Sequence, residues 1–164
     1  MRLISIDPGY DKVGYAIFDK NPDKRTRYTY IASDLIKTSP KDKHETRLKT
    51  VFDTLNAIIK EYSVEVMVAE ELFFSKNQKT VIKVAQSIGV IELVGAYNNL
   101  VMSHLTPLQI KSILTGYGAA DKKAVQKMVH LTLGKEITFK DDDQADAIAC
   151  GLAYCFINDK LVWK

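Results

Sequence analysis

The sequence predicts an α/β fold built on a mixed five-stranded sheet, in which three antiparallel strands precede two parallel strands and helices flank the sheet. Two patterns predict it. The first thirty or so residues hold three runs of β-forming residues that are separated by turn signals. Further along, stretches with apolar residues at helical spacing alternate with short apolar runs, which is typical of parallel strands joined by helices.

Composition limits the class of protein. A hydrophobic fraction of 46% over 164 residues excludes a disordered chain, and we expect one domain over residues 1–164 because no repeat or linker interrupts the pattern. No apolar run is long enough to span a membrane and the first residues lack a signal-peptide layout, so we expect a cytoplasmic protein. Cys150 and Cys155 form no metal-binding pattern and are expected in the core. The net charge of +3 is weak evidence for a polyanionic partner.

The first three strands are predicted at residues 3–6, 13–18 and 28–32, with a tight turn at 8–12 and a polar turn cluster at 19–24. Beyond them, the predicted elements are a helix with apolar positions from 48 that ends near 62, a strand at 64–69, a helix at 77–98, a strand at 100–105, and helices at 107–114, 122–133 and 142–156. Pro107 fits the first turn of its helix, and Asp121 fits the cap before the next one.

Two predicted strands end in acidic residues. The apolar run at 3–6 stops at Asp7-Pro8-Gly9, and the run at 64–69 stops at Glu70-Glu71. A strand buried on both faces does not retain a carboxylate unless that group has a partner or a function. The pattern alone does not decide between Glu70 and Glu71.

The last predicted helix carries two more acids. Asp143 and Asp146 are three residues apart, which places both carboxylates on one helix face. Small residues follow along the same helix and would allow a close approach to the part of the sheet that bears Asp7 and Glu70; they are Ala147, Ala149, Gly151 and Ala153.

Four carboxylates brought together by this fold would require cations. Ligation by oxygen alone favours Mg²⁺ or Mn²⁺ over zinc. Two such ions can support an in-line phosphoryl displacement, so the pattern points to phosphodiester hydrolysis. The simpler alternative is that these acids are solvated residues of turns and helix ends.

The chain resembles the RuvC-type Holliday-junction resolvases of the RNase H-like nuclease superfamily. The resemblance covers nearly the whole chain in order and is carried by these residues: Ile6-Asp7-Pro8-Gly9, Gly14-Tyr15, Glu70, Phe73-Phe74, Gln109-Ile110-Lys111, Gly116-Tyr117-Gly118-Ala119, Lys122 and Asp143-Gln144-Ala145-Asp146-Ala147.

The resemblance implies an RNase H-like fold and a nuclease that nicks four-way DNA junctions, leaving 5′-phosphate and 3′-hydroxyl ends. It implies that Asp7, Glu70, Asp143 and Asp146 bind Mg²⁺, with Mn²⁺ as a substitute and two ions in each active site. Lys111 and Lys122 would lie near the scissile phosphate. The residues expected to contact DNA are Phe73, Phe74, Lys76, Lys79, Lys83, Lys111 and Lys122, although Phe73 could equally pack in the core or a loop.

Other functions remain open at this point. A RuvC-related nuclease that acts on structured RNA is one alternative, and a junction-binding module that no longer cuts is another. Actin-like sugar kinases also have an acid and a glycine after a strand, but they need two such domains and this chain is too short.

The helix at 77–98 is expected to form a two-fold homodimer, because it is long and apolar, contains Gly89, and would serve a substrate with near two-fold symmetry. The predicted contacts are Val84, Ile88 and Ile91, with the alternative that they cover the protomer's own sheet. Whether a branch-migration motor acts with the protein is left open.

Overall fold

The computed structural model describes residues 1–20, 28–71, 78–134 and 136–160, except for the side chains of 78–80 and 158–160. Five strands and five helices lie in these residues. They are β1 (Arg2–Asp7), β2 (Lys12–Lys20), β3 (Tyr28–Lys37), α1 (His44–Tyr62), β4 (Val66–Glu70), α2 (Gln78–Tyr97), β5 (Val101–Leu105), α3 (Pro107–Thr115), α4 (Lys122–Leu133) and α5 (Asp142–Lys160).

The five strands form one sheet in the order β3-β2-β1-β4-β5. β1, β2 and β3 pair antiparallel, whereas β1, β4 and β5 run parallel, which confirms the predicted fold class. The register aligns Ile6 of β1 with Ala69 of β4. Asp7 and Glu70 are the next residues of these strands, so they lie side by side at the carboxyl ends of the two central strands.

Each face of the sheet supports its own apolar core. On one face, Leu3, Phe18 and Val68 pack against α3, α4 and α5. On the other, Ile4, Ile6 and further residues pack against α1 and α2. Since successive side chains of a strand point to opposite faces, Asp7 follows Leu3 and Ser5 to the α5 face, and Glu70 follows Val66 and Val68 to the same face.

Helix α5 lies unusually close to the sheet. The Ser5 hydroxyl donates to the carbonyl of Ala147 at 2.7 Å. A Cβ on Gly14 would collide with the backbone of Asp143, and one on Gly151 would collide with Phe18 and Ser5. The close approach predicted from the small residues of this helix is therefore confirmed, and it brings the first turn of α5 over the ends of β1 and β2.

The predicted helix starts are also confirmed. Thr106 and Gln109 form a capping box with Pro107 in the first turn of α3, and the Asp121 side chain accepts from the amide of Ala124 at the start of α4. Most boundaries differ from the prediction by one or two residues, and two differ by more. β3 continues beyond residue 32 to Lys37 because it pairs with β2 as far as Lys12, and α5 extends to Lys160.

The expected role of Ile91 at a dimer contact is wrong, because its side chain is only 1% exposed and lies in the protomer's own core. Val84 and Ile88 are half-buried on the same side of α2, and their contact with a partner stays a prediction. The side chains of Cys150 and Cys155 are buried in the core, as expected. Among the described helices, none has the length and apolar character that crossing a membrane requires.

Candidate functional site

Three elements bring the four predicted carboxylates to one region. Asp7 and Glu70 end adjacent strands on the α5 face, and the first two turns of α5 carry Asp143 and Asp146. Gly14, which pairs with Asp7 across β1 and β2, lies directly against the backbone of Asp143. The fold thus places acids that are far apart in sequence within electrostatic range of one another.

Burial and mutual repulsion raise the pKa values of three of these carboxyls. Burial, together with the charges of Glu70, Asp146 and Asp143, raises the pKa of Asp7 to about 8. Burial raises the pKa of Glu70 to about 7, with a contribution from the Asp146 charge. The pKa of Asp143 is also raised, mainly by burial. The nearby lysines therefore do not fully compensate the negative charge of the four carboxylates, and a bound cation would favour their ionised forms.

Two lysines lie at this cluster. The Lys122 ammonium is 2.9 Å from a carboxylate oxygen of Asp146 and 3.4 Å from one of Asp142. Burial lowers the pKa of Lys122, but the hydrogen bonds and charges of Asp146 and Asp142 together outweigh that effect, and the net shift is upward. Lys111 and Lys122 line one cavity with Glu70 and Asp146, and both lower the pKa of Glu70. Both lysines thus lie beside the acids, and their position near the scissile phosphate stays a prediction.

The donor chemistry fits a divalent cation that prefers oxygen ligands, since the carboxyl groups are partly buried and short of positive charge. Within the described ranges, however, no three Asp, Glu, His or Cys side chains are arranged so that they could bind one metal ion together. The Asp146 carboxylate accepts a hydrogen bond from Lys122. Ion binding would therefore require these side chains to rearrange around the ion.

Strand geometry favours Glu70 over Glu71 as the acid of this cluster. Glu70 is partly buried on the α5 face, whereas Glu71 is exposed and lies beyond the end of β4, where its amide donates to the Leu105 carbonyl. The sequence pattern alone did not decide between the two residues, and the position of Glu70 at the end of β4 favours it as the acid of the cluster.

Comparison with known proteins identifies the family. The family model described as crossover junction endodeoxyribonuclease RuvC matches residues 3–155. The chain belongs to the RuvC family. This family comprises metal-dependent nucleases.

Curated RuvC relatives match over most of their length. The crossover junction endodeoxyribonuclease RuvC of Fusobacterium nucleatum is 47% identical over 149 residues, which are 91% of this chain and 77% of the relative. The RuvC of Caldicellulosiruptor saccharolyticus is 39% identical over 164 residues, covering 100% of this chain and 98% of the relative.

Solved structures of Holliday junction resolvases have a similar fold. Thermus thermophilus RuvC in complex with Holliday junction substrate superposes with a TM-score of 0.87 at 25% identity, covering 98% of this chain and 96% of that one. The yeast mitochondrial Holliday junction resolvase Ydc2 gives a TM-score of 0.72 at 13% identity, covering 97% and 79%. At that identity the likeness shows the fold alone.

Several predicted DNA contacts lie outside the described residues, namely Phe73, Phe74 and Lys76, and the side chain of Lys79. Lys83 is described and exposed on α2, with its ammonium 5.4 Å from the ring centroid of Tyr10. That position is close to the loop that follows Asp7.

Three charged residues near the cluster were not predicted from the sequence to belong to it. Lys12 pairs with Asp141, joining the start of β2 to the segment before α5. Arg47 is buried beside the loop between β1 and β2. A signal for Arg47 was present, since it precedes Val51 and Leu55 at helical spacing on the apolar face of α1, where a charged residue needs a partner.

Proposed function

We propose that this protein resolves four-way DNA junctions by metal-dependent hydrolysis of phosphodiester bonds, leaving 5′-phosphate and 3′-hydroxyl ends. The observation that carries the proposal is the cluster of Asp7, Glu70, Asp143 and Asp146 with Lys111 and Lys122 beside it. Membership of the RuvC family and the likeness to T. thermophilus RuvC, whose structure contains a Holliday junction substrate, support it.

The four carboxylates would hold Mg²⁺, with Mn²⁺ as a substitute and two ions in each site. Ions bound there would supply an activated water and stabilise the leaving oxygen. The burial that raises the pKa of Asp7 also limits the access of water. The carboxylates would therefore bind the metal ions in a region of low polarity, where electrostatic attraction is strong. On binding, the protons held by Asp7 and Glu70 would be released.

Lys111 and Lys122 would act on the phosphate. Both residues line the cavity that also contains Glu70 and Asp146, where negative charge would develop as the phosphodiester is cut. Lys122 would have to leave Asp146 when the carboxylates take up a metal ion. Its ammonium would then be free to bind an oxygen of the substrate phosphate.

A homodimer would supply two active sites for two nicks. The outward face of α2 carries Ile82, Leu93 and Tyr97, which are about 60% exposed and share one side of the helix with Gly89. A Cβ on Gly89 would meet no described atom within 4 Å, so packing within the protomer does not require a glycine there. Because glycine weakens a helix by about 1 kcal/mol relative to alanine, the close approach of a partner helix is a reason to have it.

Cleavage assays with several substrates test the proposal. A labelled four-way junction, a linear duplex of matched sequence and a structured RNA are each incubated with Mg²⁺, Mn²⁺ or EDTA. We expect cutting of the junction with either metal, with no cutting in EDTA and little of the other substrates. Preferential cutting of RNA would favour the RNA-processing alternative, and tight junction binding without cutting would favour the binding module.

Variants test the metal site within the same assay. Asp7→Asn, Glu70→Gln and Asp146→Asn should abolish cleavage but keep junction binding, since each removes a ligand charge with little change in volume. Glu71→Gln is the matched control and should cut normally. A near-wild-type rate for Asp7→Asn or Asp146→Asn in Mg²⁺ would contradict the assigned ligands.

A further inference from the structure

Arg47 is a buried charge on an otherwise apolar helix face. Its residue is 6% exposed, and it lies one and two turns before Val51 and Leu55, which pack into the core. Burying a guanidinium is costly unless its N–H groups find acceptors, so the identity of those acceptors indicates what the residue holds in place.

The acceptors of Arg47 lie in the loop that follows Asp7 and at the end of β3. Its Nη2 donates to the Tyr10 carbonyl at 3.3 Å and pairs with the Asp11 carboxylate. Its Nε donates to the Thr38 hydroxyl at 2.9 Å. The guanidinium also stacks on the Tyr10 ring, 3.8 Å from the centroid. One side chain thus binds two consecutive residues of the loop.

Other contacts hold the same loop from several directions. The Thr38 hydroxyl donates to the Tyr10 carbonyl at 2.9 Å, and the Thr38 amide donates to the Asp11 carbonyl at 3.0 Å. Ser87 of α2 is fully buried and donates to the Gly9 carbonyl at 2.7 Å. The loop is therefore fixed by α1, α2 and β3 together, immediately after the carboxylate that ends β1.

We propose that Arg47 is a positioning residue that keeps Asp7 in place for metal binding by fixing residues 8–11. This inference rests on the proposed function, because it takes Asp7 to be a metal ligand. Three further acids surround Asp7, so ionised Asp7 is repelled by its neighbours until an ion binds. A loop held at its backbone resists that repulsion and presents the carboxylate in one position.

Arg47 could alternatively contribute to stability alone, and metal dependence separates the two roles. Loss of a residue that orients a ligand from outside typically weakens metal binding by about 10- to 100-fold. Loss of an ordinary buried contact lowers the melting temperature without changing the metal concentration that gives half-saturation.

The chain offers a matched control at the opposite end of the same strand. Arg2 of β1 also pairs with an acid, Asp19, at 3.2 Å, and donates to the Tyr62 carbonyl at 3.0 Å. Arg2→Met therefore removes a similar arginine network that is remote from Asp7. Arg47→Met, Arg47→Lys and Asp11→Asn form the test series.

Two readouts are measured on each full-length variant. The first is the concentration of Mg²⁺ or Mn²⁺ that gives half of the maximal rise in melting temperature. It is measured without DNA and needs no activity. The second is the Mg²⁺ concentration for half-maximal single-turnover cutting of a four-way junction. We expect Arg47→Met to raise both midpoints by about 10-fold or more. Arg47→Lys, which keeps the charge but lacks the planar fork, should lie between Arg47→Met and wild type.

The outcomes are distinguishable. Arg2→Met should lower the metal-free melting temperature with both midpoints unchanged, and the same behaviour in Arg47→Met would overturn the inference. If Arg47→Met does not fold, Asp11→Asn decides, because that side chain is 79% exposed and can be changed without loss of the core; unchanged midpoints there would also overturn it. Wild-type protein that neither cuts nor responds to metal would instead refute the proposed function.

Discussion

Protonation of Asp7 links the stability of the metal-free protein to pH. Burial and the charges of Glu70, Asp146 and Asp143 raise its pKa to about 8 in the folded state. A group whose pKa is raised by folding stabilises the fold below its unfolded pKa, near 4, and loses that contribution as the pH rises through the folded value. The metal-free protein should therefore become less stable between about pH 4 and pH 8.

Asp7→Asn should remove much of this dependence. At pH 9 without metal, we expect the variant to unfold with a free energy roughly 5 kcal/mol higher than wild type, because one pKa unit corresponds to about 1.4 kcal/mol, and the difference should vanish near pH 4. Denaturant unfolding across a pH series in EDTA measures it. Asp53→Asn on the exposed face of α1 is the control, and equal pH profiles for both variants would contradict the prediction.

Lys111 and Lys122 should affect the rate of cutting more than the affinity for DNA. Substitution of either residue by Ala removes a charge that acts where negative charge develops, so single-turnover cutting should fall by about 10²- to 10³-fold while junction binding is retained. Lys123→Ala, at the exposed neighbour of Lys122, should cut normally. An equal loss of affinity for junction and linear duplex, with an unchanged rate, would reassign both lysines to general backbone contacts.

Those residues of the candidate site that stand out from their neighbours in the sequence were predictable. Asp7 and Glu70 interrupt apolar runs, and Asp143 and Asp146 share a helix face. Arg47 was missed because its role depends on acceptors from a loop and from β3, which no spacing along α1 reveals. The pairing of Lys122 with Asp146 depends in the same way on how α4 and α5 pack.

At the scale of elements, the distance between α5 and the sheet depends on Gly151. A methyl group there would meet Phe18 and Ser5, so Gly151→Ala should destabilise the fold by about 1–3 kcal/mol even though alanine favours a helix. Gly89→Ala is the matched change in open space, and it should be neutral or stabilising by up to about 1 kcal/mol in the monomer. Denaturant unfolding at low protein concentration compares them, and equal effects would argue against the close packing of α5.

Element order and type were predictable because the apolar periodicity was clear, and so were two helix caps. The length of β3 was not, because its extension to Lys37 arises from pairing with β2 as far as Lys12. The contact face of α2 was wrongly assigned at Ile91, because both sides of that helix carry apolar residues. Periodicity identifies an apolar side but does not say whether the protomer or a partner covers it.

For the whole molecule, the proposed dimer can be tested by adding charge to the outward face of α2. Leu93→Glu should give a folded monomer, since a buried glutamate at a two-fold contact faces its own copy. Sedimentation reports size, circular dichroism reports folding, and a supercoiled cruciform plasmid reports whether both nicks occur in one binding event. Ile88→Glu probes the opposite side of α2, where the sequence predicted the contact; a folded monomer from Ile88→Glu together with a dimeric Leu93→Glu variant would place the contact at Val84 and Ile88 instead. A Leu93→Glu variant that stays dimeric and makes paired nicks would contradict the assignment.

The division of the carboxylates between the sheet and α5 also bears on protein synthesis. A growing chain contains Asp7 and Glu70 once residue 70 has been made, but it has Asp143 and Asp146 only after a further seventy or so residues. Until α5 docks, one face of the sheet lacks its cover and the acidic cluster lacks half of its members. A nascent chain that has not yet made α5 therefore lacks two of the four proposed metal ligands, and we expect it to gain the capacity to cut DNA only when α5 completes both the core and the proposed active site.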